Sequence, residues 1–370
     1  MNACMTENEK HMKRALRLAE KGAGRVNPNP MVGAVLVKDG RIVGEGFHEY
    51  WGGPHAEVNA VGAARGPVRG ATLFVTLEPC VHEGKTPPCT PFIIREGIRK
   101  VVIGMQDPNP LVNGKGIGML QQAGIEVETG VLEPEIRKMN EAFLTHIRTG
   151  MPFCTLKTAM TLDGKIATVR NASKWITGEE SRKYVHQLRH RNMAILTGIR
   201  TILYDDPLLN TRLKGKKGKD PLKIIADTKG RIPEEARVLQ NEPQLVILAV
   251  SGQADREKMK KLQRTGVQVL ECPLKDRRID LAFLFRSLGA MGIDSLLLES
   301  GSTLAFSAIR EGLVDKVVSF ISPKILGGKT APTPVGGDGF PEMEQAVRLR
   351  DVGVKRIGED IMVEGYIDKT

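Results

Sequence analysis

Two short segments of this 370-residue chain hold the side chains best suited to chemistry. The first, Pro54-His55-Ala56-Glu57, opens an amphipathic helical stretch. The second, Thr76-Leu77-Glu78-Pro79-Cys80, closes an apolar run and is followed by Thr86-Pro87-Pro88-Cys89 ahead of another helix. One imidazole and two thiolates suit a tetrahedral zinc ion and leave its fourth position open. A catalytic zinc needs that open position, because a water held there has its pKa lowered toward about 7. Glu57 stands two residues after His55, near enough to such a water without being a ligand. A carboxylate so placed can take a proton from water and pass it to a leaving amine.

The same His-x-Glu and Pro-Cys pattern marks zinc nucleobase deaminases, with one departure. Their two cysteines are separated by two residues, whereas here eight intervene (81–88). The loop must therefore double back to bring Cys89 to the metal, which leaves His82, Glu83 and Lys85 at the rim. Taken singly, a core histidine and buried thiols are the ordinary readings. Taken together with Glu57, the three ligands point to a catalytic zinc. A closed structural site would need a fourth ligand, and only His82 is near. Asn27-Pro28-Asn29-Pro30, His48 and Asp107-Pro108-Asn109-Pro110 fall near strand ends, where α/β sheets bind ligands. On residue type alone, turn chemistry is the better reading of these segments.

A length of 370 residues suggests two domains, each able to bury a core. A hydrophobic fraction of 41% and a charged fraction of 26% exclude global disorder. No apolar run approaches a membrane span, and the charged, helix-patterned start lacks a signal-peptide core. The expected location is cytosolic, where five unpaired cysteines are more readily ligands or catalysts than disulfides. The charge is uneven: residues 1–150 carry 18 Lys and Arg against 16 Asp and Glu, residues 151–370 carry 36 against 27. That excess in the second half suits an anionic ligand or simple solubility.

Both halves alternate strand and helix signals. The first predicts a helix through Met12, Ala15, Leu16 and Ala19, and strands at 31–37 and 42–46 around an Asp39-Gly40 turn. A helix near Pro54, a strand at 71–77, a helix from Thr90 and a strand at 100–105 follow. Two more αβ elements and a charged helix over 133–148 complete a mixed-sheet α/β sandwich. Thr149-Gly150-Met151-Pro152 breaks the pattern and sets the expected boundary between domains 1–150 and 151–370. Beyond it, strands are expected at 153–160, 193–197, 222–228, 244–250, 267–271, 295–299 and 316–321. Thr177 and Glu180 spell a capping box before a helix to about Arg191, and 214–219 is a basic, glycine-broken loop. Ser300-Gly301-Ser302-Thr303 follows an apolar strand and starts a helix, so its free N–H groups and dipole suit a pyrophosphate.

These residues, with Gln106-Asp107-Pro108-Asn109-Pro110, make the chain resemble the bifunctional riboflavin-biosynthesis deaminase–reductases over nearly its whole length. The second half carries that family's landmarks in order: Leu156-Lys157, Leu162-Asp163-Gly164-Lys165, Ser173-Lys174-Trp175-Ile176-Thr177, Asp205-Asp206-Pro207 and Glu299-Ser300-Gly301. Val81 stands where Ser is common, at no cost to the ligand set. The resemblance implies a cytidine-deaminase-like α/β/α sandwich followed by a dihydrofolate-reductase-like α/β domain. It implies hydrolytic deamination of 2,5-diamino-6-ribosylamino-4-pyrimidinone 5′-phosphate, then reduction of the product's ribose to ribityl by NADPH. Zinc would be held by His55, Cys80 and Cys89, with Glu57 as proton shuttle. Asn29, His48, His82, Lys85, Asp107 and Asn109 would line the substrate pocket, reversing the reading as mere turn formers.

In the second domain the resemblance assigns Ala159, Trp175, Thr201, Asp205 and Thr228 to the nicotinamide cofactor. It assigns the stretch Gly301, Ser302, Thr303, Leu304, Ala305, Phe306 and Ser307 to the cofactor phosphates. Ser173, Arg189, Leu209, Arg212 and Glu299 would meet the substrate, the two arginines pairing with its 5′-phosphate. Lys157 would polarise or protonate the sugar oxygen. Lys174, Lys183, Lys216 and Lys217 read as solvated surface charges. A homo-oligomer, dimer or tetramer, is expected from the family. The rival reading is a tRNA base deaminase with a basic RNA-binding appendage, which shares the zinc chemistry. Against it, 2 Trp, 4 Tyr and 10 Phe are few for stacking bases, and no basic–aromatic alternation appears. A non-enzymatic zinc module would leave Glu57 without a purpose. Phosphorylated pyrimidines are therefore the expected partners, with neither nucleic acid nor membrane.

Overall fold

A computed structural model describes residues 5–215 and 218–369; Cys4 and the basic-loop residues Lys216 and Lys217 lie outside the described residues. The chain divides into two compact units, Met1–Gly150 and Met151–Thr370.

The first unit is built on strands β1 (Gly33–Lys38), β2 (Arg41–Phe47), β3 (Thr72–Leu77), β4 (Lys100–Met105) and β5 (Glu126–Thr129). They lie in the order β2-β1-β3-β4-β5. β1 is antiparallel to β2 and β3, while β3, β4 and β5 run parallel. Asp39 and Gly40, at φ 49° and 71°, make the tight turn, as left-handed pairs do in two-residue hairpins. Alternate residues of one strand serve opposite faces. Ala34 and Leu36 pack with Ala56, Ala60, Ile93 and Leu120, while Val35 packs with Met12, Ala15, Ile136 and Phe143. Helices therefore cover both faces, giving three layers. Helix Ala56–Gly62 sits directly on the β2 backbone, since a Cβ at Gly46 would fall 2.3 Å from the Ala60 nitrogen and 2.6 Å from the Ala56 oxygen.

The expected helix over 133–148 is two helices, Glu133–Met139 and Glu141–Thr149. Asn140 breaks it at φ −105°, ψ 24°, and its buried amide closes two hydrogen bonds on Met31. Oδ1 accepts from the Met31 N–H at 2.8 Å, and Nδ2 donates to the Met31 oxygen at 3.1 Å. This pair ties the break to the segment carrying Asn29. Asn140→Ala removes the side-chain partner of two part-buried backbone groups of Met31. It is expected to destabilise the unit by about 2–6 kcal/mol, at roughly 1–3 kcal/mol per orphaned group. Denaturant unfolding checks this, and a loss below about 0.5 kcal/mol would refute it.

Among the described residues, the second unit has nine strands in one sheet and a separate hairpin of two two-residue strands. In chain order they are β6 (Phe153–Thr161), β7 (Ala194–Gly198), β8 (Leu222–Ala226), β9 (Val246–Val250), β10 (Gln268–Glu271), the hairpin β11 (Leu274–Lys275) and β12 (Arg278–Ile279), β13 (Ser295–Leu298), β14 (Lys316–Ser322), β15 (Leu349–Ile357) and β16 (Asp360–Ile367). The sheet order is β10-β9-β8-β7-β13-β6-β14-β16-β15. It is parallel from β10 through β14, and the last two strands are antiparallel. Apolar cores lie in separate clusters, one around Phe285 and Leu296, another around Ile225 and Leu248.

The sequence reading missed β15 and β16. β15 is an edge strand with no buried residue and a bulge between Arg350 and Gly353, so it shows no apolar alternation. The Thr177–Glu180 capping box does not form. Gly178 is the N-cap of helix Glu179–Arg191, and buried Asp360 accepts from the Gly178 N–H at 2.8 Å and the Ser181 hydroxyl at 2.5 Å. The cap is thus supplied by the β15–β16 hairpin rather than by the local sequence.

Candidate active sites

In the first unit the ligands gather where strand ends meet helix starts. His55 is extended at φ −75°, ψ 165° just before helix Ala56–Gly62, and Cys89 is the first residue of helix Cys89–Arg95. The eight-residue excursion doubles back as its length requires. Thr90 N donates to the Cys80 oxygen at 3.1 Å, the Thr90 hydroxyl donates to the Pro79 and Cys80 oxygens, and Cys89 N points at Cys80 Sγ at 3.4 Å. His55 Nδ1 lies 3.5 Å from Cys80 Sγ and 3.3 Å from Cys89 Sγ. All three ligand atoms lie within 4.8 Å of one another.

His55 Nε2 lies 3.2 Å from Thr86 Oγ1; with Nδ1 given to a metal, Nε2 would carry the proton and donate to that hydroxyl. Such an outer hydrogen bond fixes the tautomer and ring orientation of a metal-binding histidine. The Cys89 thiol hydrogen-bonds to Cys80, and with His55 it holds the Cys80 thiol down at about 4, while the Cys89 thiol is pushed up. Two thiols sharing one proton beside an imidazole are a donor set that a divalent cation completes by displacing that proton. Glu57, in the first turn of its helix, is only 3% exposed, and burial pushes its carboxyl above the usual range.

A cavity of about 190 Å³ opens beside this triad, walled by Asn29, His48, His82, Lys85, Asp107 and Asn109 together with His55, Glu57 and Cys80. His48 Nδ1 lies 3.1 Å from the Pro54 oxygen. A carbonyl can only accept, so Nδ1 bears the hydrogen and Nε2 accepts from Asn29 Nδ2 at 3.1 Å. This leaves the Asn29 oxygen for a ligand donor, and burial lowers the His48 pKa, keeping it neutral. Asp107 is pushed up to about 6, mainly by burial. The Lys85 ammonium lies 3.3 Å from the Trp51 ring centroid, a cation–π contact that stations a positive charge at the rim. Turn chemistry is present too: Asp107 Oδ1 accepts from Asn109 N, and Asn109 Oδ1 from Leu111 N. Thr86 of the quoted motif also lines the cavity, with Trp51 and Phe143, which were not singled out from sequence.

The second unit has a larger cavity, about 670 Å³, at the C-terminal ends of its parallel strands. Ser173, Thr201, Asp205, Thr228, Gly301, Ser302, Thr303, Leu304 and Ser307 line it. The Ser173 hydroxyl donates to Asp205 at 3.0 Å. Gly301 caps helix Ser302–Arg310, so the first-turn amides face the cavity as expected for an anion site. Ala305 and Phe306 do not share that role. Ala305 N is spent on the Gly301 oxygen at 3.2 Å and its side chain is core, and Phe306 is buried against Phe340.

The remaining assignments in this unit separate from the cavity walls. Ala159 packs beside Val185, Val318 and Phe320. Trp175 is 64% exposed, with the Arg182 guanidinium 4.5 Å from its ring. Leu209, at φ 51°, sends its side chain into the core with Ile199 and Ile225, so only its backbone can meet a ligand. Arg189 is no solvated surface charge. It grips Glu299 with two parallel bonds of 2.8 and 3.0 Å and donates to the Asn210 oxygen at 3.1 Å. Most of its donors are therefore committed before any phosphate arrives. Lys157 Nζ lies 3.7 Å from Glu299 Oε2. Burial would raise Glu299, but Arg189 and Lys157 outweigh it and bring its pKa down to about 2. Burial, with Arg189, lowers Lys157. Arg212 is exposed, and its N–H donates to His186 Nδ1 at 3.2 Å. His186 was not singled out from sequence, although it precedes Arg189 by three on the same helix. Burial, with Arg189 and Arg212, lowers it to about 4 and keeps it neutral. Lys174 is exposed, and Lys183 pairs with Glu179 and Glu180 at the surface.

A three-layer α/β/α unit with a His/Cys/Cys triad and a buried glutamate beside a small polar pocket defines a zinc deaminase of the cytidine-deaminase class. It is joined here to a parallel-sheet reductase unit. The comparisons agree. Residues 5–105 match the cytidine and deoxycytidylate deaminase zinc-binding region, and residues 152–363 match the RibD C-terminal domain. The riboflavin biosynthesis protein RibD of Actinobacillus pleuropneumoniae is 48% identical over 96% of this chain and 94% of its own. That of Aquifex aeolicus is 45% identical over 96% and 97%. Among solved structures, Acinetobacter baumannii RibD superposes with a TM-score of 0.90 at 38% identity, covering 98% of this chain and 99% of that one. The diaminohydroxyphosphoribosylaminopyrimidine deaminase/5-amino-6-(5-phosphoribosylamino)uracil reductase of Thermotoga maritima gives 0.85 at 42%, with the same coverage. The chain belongs to the bifunctional riboflavin-biosynthesis deaminase–reductase family. It is a hydrolase and an oxidoreductase in one chain, with zinc and NADPH as cofactors. The tRNA-deaminase reading gains no support from these relatives. Among the described residues no helix is long and apolar enough to cross a membrane.

Proposed function

We propose that residues 1–150 deaminate the diaminopyrimidinone ribosyl phosphate and that residues 151–370 reduce the ribosyl chain of the resulting aminouracil phosphate. The observation that carries the first assignment is the triad within 4.8 Å beside buried Glu57, in a cavity walled by polar side chains of four loops. His55, Cys80 and Cys89 hold the zinc, whose chemistry is Lewis acidity that makes a water nucleophilic near neutral pH. Glu57 accepts a proton on its carboxylate and returns it to the departing amino nitrogen. Asn29 and Asp107 orient the pyrimidine through its amino and ring N–H groups, and Lys85 attracts the phosphate at the rim.

In the second unit the Ser302, Thr303 and Leu304 amides hold the NADPH pyrophosphate, and the cavity's volume suits a dinucleotide. NADPH supplies the hydride. Lys157, its pKa lowered by burial, delivers a proton from Nζ to the sugar oxygen, and Glu299, itself gripped by Arg189, holds it in place. The enzyme is a cytosolic homo-oligomer that takes phosphorylated pyrimidines and no nucleic acid. The exposed apolar side chains of the β15–β16 edge, Val352, Val354 and Ile361, support self-association.

Metal analysis with product assays tests the two halves together. Purified protein is expected to hold about one zinc per chain, as one three-ligand site requires. Ammonia release should not need NADPH, whereas NADPH oxidation should follow deamination. Chelation or Cys89→Ser should abolish ammonia release and leave reduction of supplied 5-amino-6-(5-phosphoribosylamino)uracil intact. Full ammonia release from metal-free protein would overturn the zinc assignment. Zinc present with no ammonia would overturn the substrate.

A further inference from the structure

Glu78 has no part in the mechanism above, yet it is 3% exposed and its carboxylate is the most heavily used acceptor in the first unit's site. Oε2 accepts from Asp107 N at 3.2 Å and Gly114 N at 3.0 Å. Oε1 accepts from Gly116 N at 2.9 Å and Ile117 N at 3.2 Å. Three of these donors are the orphan amides that begin helix Lys115–Gln122. Its N-cap, Gly114 at φ 82°, has no side chain to serve them, so a remote carboxylate does. The fourth donor, Asp107 N, heads the loop that carries Asp107 and Asn109 into the cavity.

The anchor itself is fixed. Glu78 N donates to the Met105 oxygen at 3.0 Å, and Cys80 follows two residues later. The helix also seats on this point without a gap, because a Cβ at Gly116 would fall 2.3 Å from the Pro79 oxygen and 3.2 Å from Glu78 Oε1. We propose that Glu78 is a positioning residue for deamination: one carboxylate, bound to both ends of segment 107–117, registers Asp107 and Asn109 against the Cys80 end of β3. This rests on the reading of Asp107 and Asn109 as substrate residues. It adds a specificity role that belongs neither to the metal nor to the substrate contacts.

Glu78→Gln replaces one acceptor oxygen by an N–H donor and orphans about half of these amides. Each orphaned buried donor weakens the held geometry by about 5–160-fold in equilibrium terms, so KM for the pyrimidine should rise ~10-fold or more. kcat should change far less, zinc should stay bound, and reduction of supplied aminouracil phosphate should be unaffected. Gly116→Ala, which displaces the helix while every polar group is kept, should raise KM in the same way. Amide exchange should lose protection at Asp107, Gly114, Gly116 and Ile117 in Glu78→Gln, with β3 still protected. If Glu78→Gln fails to fold, Gly116→Ala decides by the same KM criterion. Unchanged KM in these variants, when Asp107→Asn and Asn109→Ala do raise KM, overturns the proposal alone. Unchanged KM in Asp107→Asn and Asn109→Ala overturns the substrate assignment and the proposal with it. Loss of zinc in Glu78→Gln would show that the residue serves the metal strand instead, and would also overturn it.

Discussion

Replacing Glu57 with glutamine is expected to reduce ammonia release about 10³-fold while zinc remains at its wild-type content. The amide fills the same space in a position that is almost fully enclosed, so folding should be little disturbed. It cannot accept and return a proton. Among the described residues that line the cavity the other carboxylates are already engaged: Glu78 is saturated by four backbone donors, and Asp107 accepts from Asn109 N through one oxygen and is assigned to the substrate through the other. Reduction of supplied 5-amino-6-(5-phosphoribosylamino)uracil should continue at the wild-type rate, which separates loss of a proton shuttle from global damage. Ammonia assay, metal analysis and NADPH oxidation on one preparation decide the matter. Turnover within a few-fold of wild type would remove Glu57 from the mechanism.

The second large effect is on stability. Glu299→Ala strips the carboxylate from between Arg189 and Lys157, leaving two cations whose side chains are only 14% and 17% exposed. Removing one partner of a buried pair costs about 3–5 kcal/mol, far more than surface pairs such as Lys183 with Glu179 contribute. The pH dependence follows in sign. Glu299 is held at about 2 in the folded chain, below an ordinary value near ~4.3. Its stabilisation is therefore complete above the ordinary value and is lost as pH falls from about 5 toward 2. Glu299→Ala should lack that part of the acid slope. Calorimetry from pH 7 to pH 3, with the second unit's transition identified by its upward shift with NADPH, measures both. A transition unmoved by the substitution at pH 7 would show that the cluster contributes nothing. The same variant should also lose reduction, because Lys157 and Arg189 lose their common anchor.

Much of this was legible in the chain itself. His55, Cys80 and Cys89 could be grouped because their chemistry is uncommon and their flanking segments read as a helix start, a strand end and a second helix start. The parallel strands were readable because continuous apolar runs such as Val246–Val250 are buried on both faces. β15 was not readable, because an exposed edge strand has no buried face to imprint a period. The break at Asn140 was hidden for a different reason: 133–148 is helical in local pattern, and the bond that interrupts it goes to a residue 109 positions away. The cap at Gly178 was misread in the same way, since its acceptor is 182 positions away.

The sequence alone therefore determined the ligand types, the zinc chemistry they suit, the alternation of strands and helices and the helix start at Ser302 after an apolar strand. All of these depend on residue identity and on spacing within a turn or a strand. Tertiary structure decided which polar groups are already committed. It gave the Glu78 carboxylate to four amides 29 to 39 residues away. It turned Arg189 from a free phosphate ligand into the partner of Glu299, 110 residues away. It set the tautomer of His48 through the Pro54 carbonyl. A buried donor or acceptor must be paired, and its partner is chosen by packing between distant segments, which no local pattern encodes.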